Sequence, residues 1–179
     1  MSPSITRRVP ILAAAAAVAL TVGACSPAEA GAAAVVGGRR ITNEQLQQAL
    51  TGLRTGNPEF AQVQGLDRLV LFDLLAEPYL TKAAQDAGLG VSPSEAQAAL
   101  SKTPDANENA LAALQAQIAF NKLTQGQKGD ALAGVSTALT KAGVKVSPRF
   151  GRFDAKSLSI VDATPNWLPT PAPAPTATP

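Results

Sequence analysis

The chain has 179 residues, with 15 Lys and Arg against 13 Asp and Glu, a single cysteine and no histidine. Histidine is the usual general acid-base at neutral pH and the commonest zinc or iron ligand, so Ser-His-Asp and Cys-His catalysis and histidine-based metal sites are excluded. One cysteine excludes an intramolecular disulfide, and the fold must rest on packing alone.

The first 25 residues read MSPSITRRVPILAAAAAVALTVGAC: two arginines, Arg7 and Arg8, then an uncharged run of about 16 residues from Val9 to Ala24. A helix crossing a hydrocarbon core needs roughly 20 apolar residues. A positive start, a short apolar run and small residues at its end make residues 1–24 a secretory signal peptide. Val22-Gly23-Ala24-Cys25 places an aliphatic residue three before the cysteine and two small residues directly before it. This resembles the lipobox of bacterial lipoproteins. The resemblance implies cleavage between Ala24 and Cys25 and acylation of Cys25, which becomes a lipid anchor on the extracytoplasmic face of the cell membrane. Each buried methylene contributes roughly 0.8 kcal/mol, so one chain holds weakly and two hold stably. Loss of residues 1–24 takes Arg7 and Arg8 with it and leaves 13 basic and 13 acidic side chains on 155 residues. That is enough for one domain with a core. Its balanced charge argues against a nucleic-acid partner, which requires clustered positive charge.

Residues 25–32 are the cysteine and a tether, SPAEAGA. Seven extended residues reach roughly 23 Å at about 3.3 Å each, which keeps the domain near the membrane. AAVVGGRRIT predicts a strand from Ala33 to Val36, a turn at Gly37-Gly38 and a return into Ile41. Thr42 and Gln45 make a capping box for a helix from Asn43 to about Arg54, with Leu46, Leu50 and Leu53 along one face. TGNPEF breaks it. The next helix, LDRLVLFDLLAEPYL and onward, is apolar over more than one face, which predicts burial among other helices. Pro78 removes one of its hydrogen bonds and is expected to kink it. Gly88 is its left-handed C-cap, closed by Leu89.

Ser92, Pro93 and Glu95 open a further helix. Asp105 and Glu108 read as a second capping pair before a long helix from Ala106 to about Gln125. Leu111, Leu114 and Ile118 form one of its stripes, and Phe120 and Leu123 an adjoining one. After GQKG a last helix runs from Asp130 to Ala142 with Leu132, Val135, Leu139 and Ala142 on one face, and Gly143 stops it. VKVS then predicts a short strand with Val144 and Val146 on one side. The fold class is therefore mainly α, about five helices with a small two-stranded sheet pairing the start and the end of a domain over residues 33–154. Residues 155–179 are an extended segment and a Pro/Thr/Ala-rich tail, disordered from residue 163, because LPTPAPAPTATP favours polyproline II and cannot bury a core.

No residue stands out as catalytic. The acidic side chains lie singly at helix starts and on helix faces, and VVGGRR lacks the spacing and the Lys-Ser/Thr of a phosphate loop. The chain reads as a non-enzyme with no cofactor and no metal ligands. Arg149 and Arg152 flank Phe150 and Phe153 in an R-F-G-R-F run. Basic-aromatic interleaving suits a nucleic acid or a lipid headgroup, but two charges on a balanced chain favour a capped sheet edge. Trp167 is the only tryptophan, either a hydrophobic plug folding back on the domain or a short recognition element, with the plug preferred.

AAVVGGRRITNEQLQQAL, then LDRLVLFDLLAEPYLTKAAQDAGLGVSPSEAQAAL, then LAALQAQIAFNKL resembles the N-terminal chaperone region of the SurA/PrsA foldases. That pattern has a strand ending in Val-Asn-Gly, a helix opened by Ile-Thr, a Leu-rich helix, a Gly-hydrophobic turn, then Val-Ser/Thr with an acidic residue. Here Gly37 stands where Asn is common, whereas Ile41-Thr42, Gly88-Leu89 and Val91-Ser92 through Glu95 match. VKVSPRFGRFD, residues 144–154, is similar to the closing strand that such proteins place after a parvulin prolyl-isomerase module. Only TQGQKGDALAGVSTALTKAG occupies that module's place, and the histidines of a parvulin site are absent, so the resemblance implies polypeptide binding without isomerase activity. Two functions fit. One is a membrane-anchored holdase for unfolded exported polypeptides, its client-binding residues unidentified. The other is a structural or adaptor lipoprotein that docks one envelope partner.

Overall fold

The computed structural model describes residues 31–100 and 106–163. The signal peptide, the Ala24–Cys25 cleavage site with its lipidation, Asp105, Trp167 and the Pro/Thr/Ala tail from residue 164 lie outside the described residues.

Strand β1 (Ala32–Val36) and strand β2 (Arg39–Thr42) form a hairpin with Val36 opposite Arg39. Its two-residue loop needs positive φ at both positions, and Gly37 and Gly38 supply 55° and 81°. The capping box is present in full: the Gln45 N–H donates to Thr42 Oγ1 at 3.1 Å, and the Thr42 N–H donates to Gln45 Oε1 at 2.9 Å. It opens helix α1 (Asn43–Gly56), which buries Leu46, Leu50 and Leu53. A 3-10 turn over Pro58–Gln62, capped by Asn57, fills the expected break.

Helix α2 (Leu66–Asp86) is the central element, packed against α1, α4 and α5. It buries Val70, Leu71, Leu74, Leu75 and Leu80 and runs through Pro78 as one helix. Proline offers no N–H to the carbonyl four residues back, which is that of Leu74. The Arg39 guanidinium takes over: Nη2 donates to the carbonyls of both Leu74 and Leu75 at 2.9 Å. At the other end the Leu89 N–H bonds Ala84 O and the Gly88 N–H bonds Gln85 O, the paired bonds of a Schellman cap.

Helices α3 (Pro93–Ala99), α4 (Glu108–Gln125) and α5 (Gly129–Ala142) follow. The cap of α4 is Asn107, not the expected Asp105–Glu108 pair. Its Oδ1 accepts the Ala110 N–H at 2.9 Å while Nδ2 donates to Gln48 O, so one side chain caps α4 and ties it to α1. The buried face of α4 also differs from the expected leucine stripe. Ala110, Ala113, Ala116 and Ala119 are buried with Leu114 and Leu123, whereas Leu111, Ile118 and Phe120 are half-buried. Small side chains let α4 lie close to its neighbours; a Cβ added at Gly52 of α1 would sit 2.8 Å from that of Ala110. On α5, Val135 and Leu139 are buried and Leu132 is only half-buried.

Strand β3 (Lys145–Val146) pairs antiparallel with β1, joining the two ends of the domain as the sequence predicts. Because β2 pairs on the other edge of β1, the sheet has three strands in the order β2-β1-β3. Past the expected end at Asp154 the chain does more than extend. Strands β4 (Arg152–Asp154) and β5 (Ser159–Val161) form a second hairpin. Phe153 stacks on Phe72 of α2 with ring centroids 6.4 Å apart, Ile160 is buried, and Ser136 of α5 donates to Ala155 O at 2.7 Å. The hairpin turn holds Asp154, whose carboxylate accepts the Lys156 N–H and the Ser157 hydroxyl and is thereby kept below its usual pKa.

An open groove between two helices

The second half of α2 and the facing side of α5 diverge over the β1 end of the sheet, leaving an open groove of about 700 Å³. From α2 it is lined by Pro78, Tyr79, Lys82, Ala83, Asp86 and Ala87, two rows with a spacing of four on one helix face. From α5 come Ala131, Gly134, Val135 and Ala138, at spacings of three, one and three on one face. Val36, Gly37 and Arg39 lie at its sheet end. Its small lining side chains are Ala83 and Ala87 at the end of α2 and Ala131, Gly134 and Ala138 on α5. At Gly134 an added Cβ would touch nothing within 4 Å.

The floor is apolar and the rim is charged. Lys82 and Asp86 form an exposed i,i+4 pair at 2.9 Å on the α2 edge. Such a pair contributes at most about 1 kcal/mol and opens readily. Arg39, whose guanidinium satisfies the carbonyls in front of Pro78, stands at the sheet end. The same arginine–proline pairing that keeps α2 continuous therefore shapes the groove.

A second cleft of about 510 Å³ opens at the other end of α2, between α4 and the β4–β5 hairpin. It contains Asp73, which is 5% exposed and has no hydrogen-bond or ion-pair partner among the described residues. Burial pushes its carboxyl well above the usual carboxylate range. Among the described residues no group of three or more His, Cys, Asp or Glu is placed to hold a metal ion.

The aromatic side chains of the R-F-G-R-F run pack inward, and its two arginines are exposed. The Arg149 guanidinium lies 4.3 Å over the Phe150 ring and donates to Asn43 Oδ1 at 2.7 Å, at the first residue of α1. Phe150 is buried, Phe153 stacks on Phe72, and Arg152 is exposed on the hairpin. A basic-aromatic binding surface is not assembled there. The groove residues went unnamed in the sequence; the signal was present as small residues, Ala131, Gly134 and Ala138, repeating along one face of an otherwise ordinary helix.

The described residues form a mainly helical domain whose two ends are tied by a small sheet and which carries an open apolar groove. Residues 5–127 match the family of the SurA-like N-terminal domain, and the chain belongs to that family. SurA-like domains are extracytoplasmic and of chaperone type. No curated protein and no solved structure matches the chain. The match ends two residues past α4, so the α5 wall of the groove lies beyond it.

Proposed function

We propose that this protein is a non-enzymatic holdase for exported polypeptides, tethered to the extracytoplasmic face of the cell membrane through lipidated Cys25. The observation that carries the reading is the α2–α5 groove, apolar along its floor and about 700 Å³ in volume. An extended chain turns alternate side chains to one side. Those side chains meet alanine and glycine walls, while Lys82 and Asp86 offer a donor and an acceptor to the passing backbone. The tether of residues 25–32 keeps the groove close to where exported chains emerge.

The test follows aggregation of an unfolded model protein by light scattering as residues 26–179 are added. Suppression near stoichiometric ratios is expected, and Gly134→Trp, which fills the groove from an unobstructed position, is expected to abolish it while leaving the far-ultraviolet circular dichroism unchanged. Equal suppression by the filled groove would refute this site. Crosslinking in cells separates the adaptor reading: many exported proteins are expected, and a single stoichiometric partner would replace the holdase with an adaptor.

A further inference from the structure

The cleft at the other end of α2 differs from the groove in enclosing a buried carboxyl. Leu69, Phe72 and Asp73 come from one face of α2, Phe120 from α4, and Leu158 and Ile160 from the β4–β5 hairpin. Its volume, about 510 Å³, lies within the range of small-molecule sites, roughly 300–1,000 Å³. Asp73 is 5% exposed, so bulk water reaches little of it, and it has no hydrogen-bond or ion-pair partner among the described residues.

A buried polar group without a hydrogen bond is costly, and a buried charge without a counter-charge more so. The lining supplies Asp73 with no cation. Arg68 is the one basic residue of the cleft, and it is bonded to Asp162. The α4 side adds Gln117 and Asn121, which carry no charge. A ligand ammonium group would bring both N–H donors and the missing charge, and such charge-assisted bonds are about twice as strong as neutral ones.

The apolar residues say what stands behind that group. Leu69 lies one helical turn from Asp73, about 5.4 Å along α2. It is 38% exposed, one of two exposed large hydrophobic residues among those described. The α2 wall therefore passes within one turn from a buried acid to an exposed hydrophobic residue. Phe72 and Phe120 add aromatic surface, which attracts both a cation and another ring.

We propose that this cleft is a binding site for a small arylalkyl amine, its ammonium group paired with the carboxyl of Asp73 and its ring packed against Phe120, Leu158 and Leu69. The site is separate from the α2–α5 groove and does not depend on what the groove binds.

The probe is para-fluorophenethylamine, followed by fluorine NMR as the full chain in lipid nanodiscs is added, with empty nanodiscs accounting for partition into the bilayer. Saturable binding at one site per chain is expected. Asp73→Asn keeps the shape and removes the charge, and is expected to weaken binding about tenfold or more. Its urea midpoint at neutral pH, expected to be no lower than that of the wild type, shows that the fold is intact. The matching alcohol, para-fluorophenethyl alcohol, has the same ring and a neutral donor and is expected to bind the wild-type chain about tenfold more weakly than the amine. Gly134→Trp, in the other opening, is expected to leave amine binding unchanged. Absence of saturable binding to the wild-type chain would overturn the proposal. So would Asp73→Asn binding the amine as tightly as the wild type, or the alcohol binding as tightly as the amine. Amine binding lost in Gly134→Trp would place the amine in the α2–α5 groove and overturn it as well.

Discussion

Replacing Arg39 with Met keeps the aliphatic stem and removes both hydrogen bonds to the Leu74 and Leu75 carbonyls, each 2.9 Å long. Charge-assisted bonds contribute about 1.5–3 kcal/mol each when buried. Arg39 is exposed over much of its surface, so a total near the bottom of that range, about 2 kcal/mol, is expected. For a domain of this size that is a fall in Tm on the order of 8 °C. The reasoning is specific because Leu74 O lacks its helical donor only while residue 78 is proline. Pro78→Ala supplies an N–H to Leu74 O and is itself expected to stabilise the helix. In that background Arg39→Met should cost only about 1 kcal/mol, a coupling of about 1 kcal/mol between two residues far apart in sequence. Urea unfolding of the four chains of the cycle, with a common m-value, measures it. An equal cost of Arg39→Met in both backgrounds, to within about 0.3 kcal/mol, would show that Arg39 does not stand in for the missing N–H.

Two glycine-to-alanine exchanges within helices should move stability in opposite directions. Gly134→Ala meets no atom within 4 Å and should add about 0.5–1 kcal/mol, whereas Gly52→Ala meets Asn107 Nδ2 at 2.5 Å and Ala110 Cβ at 2.8 Å and should cost about 1–3 kcal/mol; thermal melts of both variants check the sign. Burial raises the pKa of Asp73 in the fold, so the folded state holds its proton more tightly than the unfolded chain, whose aspartate titrates near about 3.9. That contribution is fully present below about pH 4 and is lost as pH rises through the folded value. Asp73→Asn should therefore gain stability relative to the wild type as pH increases from about 4; a difference in urea midpoints that stays flat with pH contradicts this. Cys25→Ala should leave an unprocessed precursor in the cells, and normal processing with membrane retention would end the lipidation reading.

The local elements were legible in the sequence because their signals are local. The Thr42–Gln45 capping box, the Gly37-Gly38 turn and the Gly88 cap each satisfy backbone groups within a few residues of themselves. The all-round apolar composition of α2 marked it as the buried helix for the same reason: a side chain's aversion to water needs no knowledge of what covers it. Asn107 was missed as the cap of α4 because the cap is decided by a long-range bond to Gln48 as well as by local preference. The β4–β5 hairpin was missed because its strands are three residues each and are held by Phe72 and Ser136, distant in sequence.

Composition alone determined that the chain has no histidine and no second cysteine for an internal disulfide, so its fold rests on packing and on the surfaces that packing presents. Only the tertiary structure decided where those surfaces are. Whether a stripe of alanine and glycine becomes a tight helix contact, as on α4, or an open groove, as on α5, depends on how far apart the facing backbones stand. That distance depends on how every packed element seats against its neighbours, and it has no signature in the stripe itself.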